Sequence, residues 1–182
     1  MSQIQFDDEI TIPKEVMMVL AVLQGANYEA FLVGGCVRDL LMGEKPKDYD
    51  ITTTATPQEI IALFPKTFYE NTFGTVGVVT CGDDLGSQCS DESVKIVEVT
   101  PYRLEGDYSD NRHPDSVSWS KNIEDDLKRR DFTVNAIAYN PISGEMIDPF
   151  HGKQDIIDKI IRAVGFPDRY GTQLCAGHVP EF

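Results

Sequence analysis

The sequence predicts an α+β fold, a small mixed but mostly antiparallel sheet with helices on one face. Three observations predict it. Helix, strand, short helix, strand and helix follow one another up to about Phe64, and several consecutive strands come after. Those strands are short, rich in β-branched residues and bounded by Gly, Pro, Asp and Asn. The 182 residues are 41% hydrophobic and 25% charged, with 14 Gly and 10 Pro, the proportions of a globular domain rather than of a disordered or collagenous chain.

The elements can be taken in order. Pro13 suits the first turn of a helix over Lys14 to Gln24, with Val16, Leu20 and Leu23 on one stripe and Gly25 closing it. Ala30 to Val33 is an apolar strand running straight into Gly34-Gly35, and Val37 to Met42 is a short helix stopped by Gly43. Asp48 to Thr52 reads as a strand. Thr56-Pro57-Gln58-Glu59 starts a helix, with Thr as cap, Pro at the first position and Ile60, Ile61 and Phe64 as the apolar face. Thr75 to Cys81 and Val94 to Tyr102 are strands flanking a polar connection. Leu104 to Lys121 carries no period and reads as a long loop of the kind that often has a function. A helix capped by Ser120 or Asn122 runs to Asp131, a hairpin pairs Ala136 to Asn140 with Glu145 to Asp148, and Lys153 to Ile160 is the last helix.

Charge and cysteine usage narrow the function. With 16 Lys+Arg against 30 Asp+Glu the formal charge is −14, which repels a phosphate backbone at long range and excludes a general nucleic-acid binder. RNA or DNA would have to be met in a local basic cleft or with help from another domain. The four cysteines show no C-x-x-C spacing and are expected as reduced thiols; Cys81, Cys89, Cys175 and His178 fit no common zinc pattern. No apolar run approaches 18 residues, and the first residues are acidic where a leader peptide is basic, so the expectation is a cytoplasmic protein with no membrane partner.

Asp48 and Asp50 carry the chemistry. On a strand, side chains two apart share a face at roughly 6.5–7 Å. Two such carboxylates repel unless a cation lies between them, and hard oxygen donors suit Mg²⁺ or Mn²⁺. A pair of divalent ions there could clamp the attacking and leaving oxygens of a phosphoryl group. Alone, a D-x-D is more often a solvated strand edge. Here it lies downstream of Gly34-Gly35, whose bare backbone amides at a helix start can meet a phosphate, and of Arg38, which can pair with phosphate oxygens. Arg129-Arg130 is the densest positive pair in an acidic chain, suited to a phosphate ligand or, alternatively, to an exposed helix end. Glu98, on a strand face with Val94 and Ile96, is a third candidate metal ligand, since burial there requires a cation or a hydrogen-bond partner. No G-x-S-x-G or Cys–His arrangement points to covalent catalysis, and His151 reads as part of a turn.

Gly34 through Gly43, then Asp48-Tyr49-Asp50 and Thr54, resembles the first signature of the bacterial-type tRNA nucleotidyltransferase (CCA-adding enzyme) and poly(A) polymerase family, within the DNA polymerase beta superfamily. Asp126 through Ala136 is similar to that family's ribose- and nucleotide-binding segment, and Ile147 to Gly152 through Ile161 to Gly165 is similar to the end of its head domain. The resemblance covers about residues 28–170. It implies a polymerase-beta-like head over residues 1–165, with Asp48 and Asp50 binding catalytic Mg²⁺ or Mn²⁺. It further implies that Gly34, Gly35 and Arg38 hold the triphosphate, and that Arg129, Arg130, Asp131 and Asn135 face the incoming nucleotide, Asp131 near the ribose hydroxyls. Arg103 and Arg112 would reach the phosphates from the long loop.

Members of that family are about twice as long and continue into a charged helix that pairs with the incoming base. Residues 166–182 do not resemble that helix and are expected to be either the start of a truncated neck or a non-native tail. The implied function is transfer of CMP or AMP from CTP or ATP to the 3′ end of tRNA, with poly(A) addition, or nucleotide binding without turnover, as alternatives. RNA would be gripped mainly by the missing C-terminal domains, and a head without its neck could self-associate.

Overall fold

In the computed structural model, which describes residues 12–69, 74–82, 85–86, 88–105 and 117–165, an interior strand of the sheet is buried on both faces. This strand, β1 (Ala30–Val33), lies antiparallel between β2 (Asp50–Thr53) and β8 (Ala138–Asn140). With β3 (Thr67–Tyr69), β4 (Val76–Val79), β5 (Ile96–Pro101) and β9 (Glu145–Ile147) these form a seven-stranded sheet in the order β3-β4-β5-β2-β1-β8-β9. Every neighbouring pair is antiparallel except β2 and β5. A separate two-stranded ribbon pairs β6 (Arg103–Glu105) with β7 (Val117–Trp119). The predicted α+β class and its mixed, mostly antiparallel sheet are what the chain adopts.

Alternation along β1 divides the interior. Ala30 and Leu32 join Ile51, Val76, Val78, Val97 and Val99 under α1 (Lys14–Gly25), α2 (Gly35–Leu41) and α3 (Pro57–Leu63), which contribute Val16, Leu20, Leu23, Val37, Leu40 and Ile60. Phe31 and Val33 point the other way, into a smaller cluster with Tyr102, Ala136, Ala138, Val164 and the Ile123 and Leu127 side chains of α4 (Ile123–Lys128). Removal of this apolar surface from water is the main stabilising term. Thr56 caps α3 in a reciprocal box: its hydroxyl accepts from Glu59 N at 3.4 Å and its backbone N–H donates to the Glu59 carboxylate at 2.7 Å. Thr56→Ala is expected to cost about 1 kcal/mol, read as a shift in the urea midpoint without change in slope.

Several boundaries differ from the prediction. β2 starts at Asp50, so Asp48 lies before it in an exposed bend. The cause is next door: β1 ends at Val33 and the chain turns at Gly34 into α2, leaving no antiparallel partner for a longer β2. Val94 sits in a 3₁₀ turn, Glu92–Val94, and β5 begins at Ile96. Ile61 is exposed, and Phe64 is buried just past the end of α3. β3 was not predicted. The long loop is bounded by the β6–β7 ribbon; Arg112 and His113 lie outside the described residues, as do Cys175, His178 and all of 166–182. Cys81 and Cys89 are joined as a disulfide rather than held as thiols, with Cα atoms 5.3 Å apart. No described helix is long and apolar enough to cross a membrane.

α5 (Gly152–Ile157) docks against a 3₁₀ turn, Thr133–Asn135. Asp148 caps it, accepting from Gly152 N at 2.7 Å and Lys153 N at 3.0 Å, while His151 sits in the left-handed region at φ 60°. The nearly buried Asp155 accepts from Thr133 Oγ1 at 2.6 Å and from Arg162 Nε and Nη2, both at 3.0 Å. Burial alone raises the Asp155 pKa, but the bonds from Arg162 and Thr133 outweigh it and leave the carboxyl below its ordinary 3.8. A carboxyl whose folded pKa is depressed stabilises the fold above its unfolded pKa and loses that contribution as pH falls through the folded one. Acid titration of Asp155→Asn against the native chain should therefore show native stability falling more steeply below pH ~4.

Candidate active site

The face of the sheet opposite α1–α3 carries the polar groups. Asp50 opens β2 directly beside Glu98 of β5, in the one parallel pairing of the large sheet, and Glu98 N also donates to Tyr49 O at 3.2 Å. Ile51 and Val99, the next pair along, turn into the main core, so Asp50 and Glu98 face away from it on strands about 4.8 Å apart. Glu98 is half-buried with exposed Ile96 on its side. The face is thus open, unlike the buried one foreseen with Val94.

Gly34 forms the other wall. Its φ of +81° and ψ of −141° belong to a region only glycine occupies comfortably. A Cβ there would lie 3.1 Å from Arg130 Nη1 and 3.5 Å from Asp50 Oδ2, so a guanidinium and a carboxylate both approach the space that a side chain would fill. Gly35 has the Arg38 guanidinium beside it: a Cβ would stand 3.6 Å from Arg38 Nη2.

The remaining predicted residues form two linked groups. Arg38 donates through Nη1 to Asn135 Oδ1 at 2.9 Å and through Nε and Nη2 to Asp39 Oδ1 at 2.9 and 2.6 Å. Asn135 Nδ2 donates to Asp131 Oδ1 at 3.3 Å, which also accepts from Phe132 N at 2.7 Å. Arg38, Asn135 and Asp131 are thereby one chain of hydrogen bonds. In the second group, Arg129 and Arg130 both bind Asp126. Their side chains are only 14% and 16% exposed, so the pair is built into the fold, and the alternative of a solvated helix end does not apply. Asp48 stands exposed in the bend before β2, two residues before Asp50. Arg103 opens β6 opposite Trp119.

Two residues of this arrangement went unassigned in the sequence. Asp39 fixes Arg38, and Asp126 fixes both downstream arginines. The second was legible: Asp126 stands three and four residues before them, the spacing at which helical side chains meet. Cys36, between the glycines and Arg38, is no nucleophile. Burial pushes its thiol up to about 12, and Sγ donates to Val33 O at 3.2 Å.

A family model described as the poly A polymerase head domain matches residues 30–162. The chain belongs to the poly A polymerase head domain family. Among curated relatives of this head domain, the CCA-adding enzyme of Geobacillus stearothermophilus is 44% identical over 153 residues, which are 84% of this chain and 35% of that protein. The CCA-adding enzyme of Staphylococcus saprophyticus is 44% identical over 151 residues, 82% of this chain and 35% of its own. Among solved structures, the Bacillus stearothermophilus CCA-adding enzyme in complex with CTP superposes with a TM-score of 0.69 at 40% identity, over 84% of this chain and 33% of that one. The Thermotoga maritima CCA-adding enzyme complexed with tRNA gives 0.60 at 26% identity, over 86% and 34%. The head domain described here spans about a third of the length of the relatives it matches.

The donor set also bears on a metal. Among the described residues, no group of three or more His, Cys, Asp or Glu side chains converges. What the sheet does bring together is carboxylate oxygen, from Asp50 and Glu98 on adjacent strands, with Asp48 nearby in the chain. All-oxygen donors fit Mg²⁺ or Mn²⁺ and are a poor match for softer ions.

Proposed function

We propose that the chain is the nucleotide-transferring head of a tRNA CCA-adding enzyme, which moves a nucleoside monophosphate from CTP or ATP to an RNA 3′ hydroxyl and releases pyrophosphate. The observation that carries this reading is the placement of Asp50 beside Glu98 across the parallel pair, with the Asp50 carboxylate and the Arg130 guanidinium both close to the bare face of Gly34. A triphosphate needs that combination: anionic oxygens for divalent ions, a cation for the phosphate oxygens, and backbone bare enough to approach. Relatives solved with CTP and with tRNA support the choice of substrates.

The geometry supports a role for each residue. Asp48, Asp50 and Glu98 would hold Mg²⁺ or Mn²⁺. When bound, such ions neutralise the triphosphate and acidify the attacking hydroxyl. Gly34 and Gly35 let the phosphates come close to the main chain. Arg130, beside Gly34, and Arg38, beside Gly35, would give N–H donors to the non-bridging oxygens, with Arg129 held next to Arg130 by Asp126. Asp131, tied to Asn135, has a carboxylate that can accept from a ribose hydroxyl. The overall charge of −14 supports an RNA grip made elsewhere than on this surface.

The test is incubation with Mg²⁺, a tRNA lacking its CCA end, and CTP or ATP given separately. Magnesium-dependent CMP incorporation from CTP is the expected result. Long AMP tails from ATP, with CTP unused, would identify a poly(A) polymerase instead. Nucleotide binding with no pyrophosphate release from any RNA primer would reduce the chain to a binding module.

A further inference from the structure

We infer that Asp126 is a positioning residue for the nucleotide site, a buried anionic clasp that fixes the guanidinia of Arg129 and Arg130 toward a polyphosphate; the inference rests on the nucleotide-transfer reading above. Asp126 has no exposed surface. A carboxylate taken wholly out of water is costly unless its charge and lone pairs are met. Here both oxygens are met. Oδ1 accepts from Arg129 Nε at 2.9 Å and pairs with its Nη2 at 2.8 Å, and Oδ2 accepts from Arg130 Nη2 at 3.2 Å.

One carboxylate holds two guanidinia at once, and the direction it gives one of them is defined. While Nη2 of Arg130 is held by Asp126, Nη1 of the same planar guanidinium lies beside Gly34, on the side of the glycine that faces Asp50. The two nitrogens sit on one rigid fork, so anchoring one sets where the other points. Two adjacent arginines repel each other, and each long side chain has rotamer freedom to lose. Loss of that freedom is met once, during folding, rather than at each binding event. Leu127, fully buried in the smaller core cluster, anchors the backbone between Asp126 and the arginines.

Calorimetric titration of the full chain with Mg²⁺·ATP and with inorganic tripolyphosphate tests the assignment. Asp126→Asn keeps the size of the side chain but replaces one acceptor by an amide donor facing a cation. It should raise Kd for both probes on the order of tenfold or more while binding stoichiometry stays unchanged, and Arg130→Ala should do the same. A merely structural aspartate would instead lower the bound fraction at native Kd, and that outcome overturns the inference. Native Kd in Asp126→Asn, with binding lost in Arg130→Ala, overturns the role of Asp126 alone and leaves the nucleotide reading intact. A native chain that binds neither probe removes both. Should Asp126→Asn not fold, Asp126→Glu retains the charge but shifts the carboxylate by a methylene, and its Kd is judged in the same way.

Discussion

Asp50→Ala is expected to lower magnesium-dependent nucleotide transfer by about three orders of magnitude, equivalent to roughly 4 kcal/mol of transition-state stabilisation. Asp50 is the carboxylate placed both next to Glu98 and beside Gly34 near Arg130, so its removal takes away the oxygen donor that the strand pair and the glycine turn share. Asp48→Ala, altering an exposed side chain in a bend, is expected to affect the same activity in the same direction with no measurable change in stability. Primer-extension rates with Mg²⁺ and Mn²⁺, set beside thermal melting curves, give the answer. Transfer at native rates in a folded Asp50→Ala chain would remove Asp50 from the chemistry.

Gly152→Ala is expected to destabilise the fold by about 3 kcal/mol or more, a fall in Tm of roughly 6–12 °C for a chain of this size. The sign opposes the ordinary rule that alanine in place of a helical glycine stabilises by about 1 kcal/mol. A Cβ at Gly152 would lie 2.0 Å from Thr133 O and 2.7 Å from its carbonyl carbon. Both are main-chain atoms that no rotamer change can move aside. α5 would have to lift from the Thr133–Asn135 turn, pulling at the bond between Asp155 and Thr133 and displacing Asn135, which holds Arg38. Differential scanning calorimetry checks the stability, and a raised Kd for Mg²⁺·ATP checks the transmitted effect. A melting temperature equal to that of the native chain would show that the contact is not close-packed.

Much of this was legible in the residue order. The α1 stripe of Val16, Leu20 and Leu23, the Thr56 cap and the hairpin of β8 and β9 follow from local chemistry that tertiary contacts did not override. The gathering of Gly34, Arg130 and Asp50 was legible only through the motif order, because composition cannot bring residues 34 and 130 together. Other features depended on partners distant in sequence. β2 loses Asp48 because β1 turns away at Gly34. β3, only Thr67–Tyr69, is too short to show a period; it pairs with β4, where the end of the Phe68 ring packs over Gly77 so closely that a Cβ would come within 2.4 Å of it. The Cys81–Cys89 bond follows from a Cα approach that spacing alone could not foretell. Glu15, buried at the start of α1, is tolerable because Ser90 donates to it through N at 3.0 Å and Oγ at 2.9 Å.

The parallel register of β2 against β5 has a kinetic consequence. Strands running the same way cannot be zipped from a tight turn, so residues 51–97 must be looped out before Asp50 and Glu98 become neighbours. The entropy of closing that loop is lost before any contact across it is gained, which places this step among the slow ones during refolding. The carboxylate pair should accordingly be one of the last features to mature, and an assay of metal-dependent nucleotide capture would lag behind the recovery of helical signal.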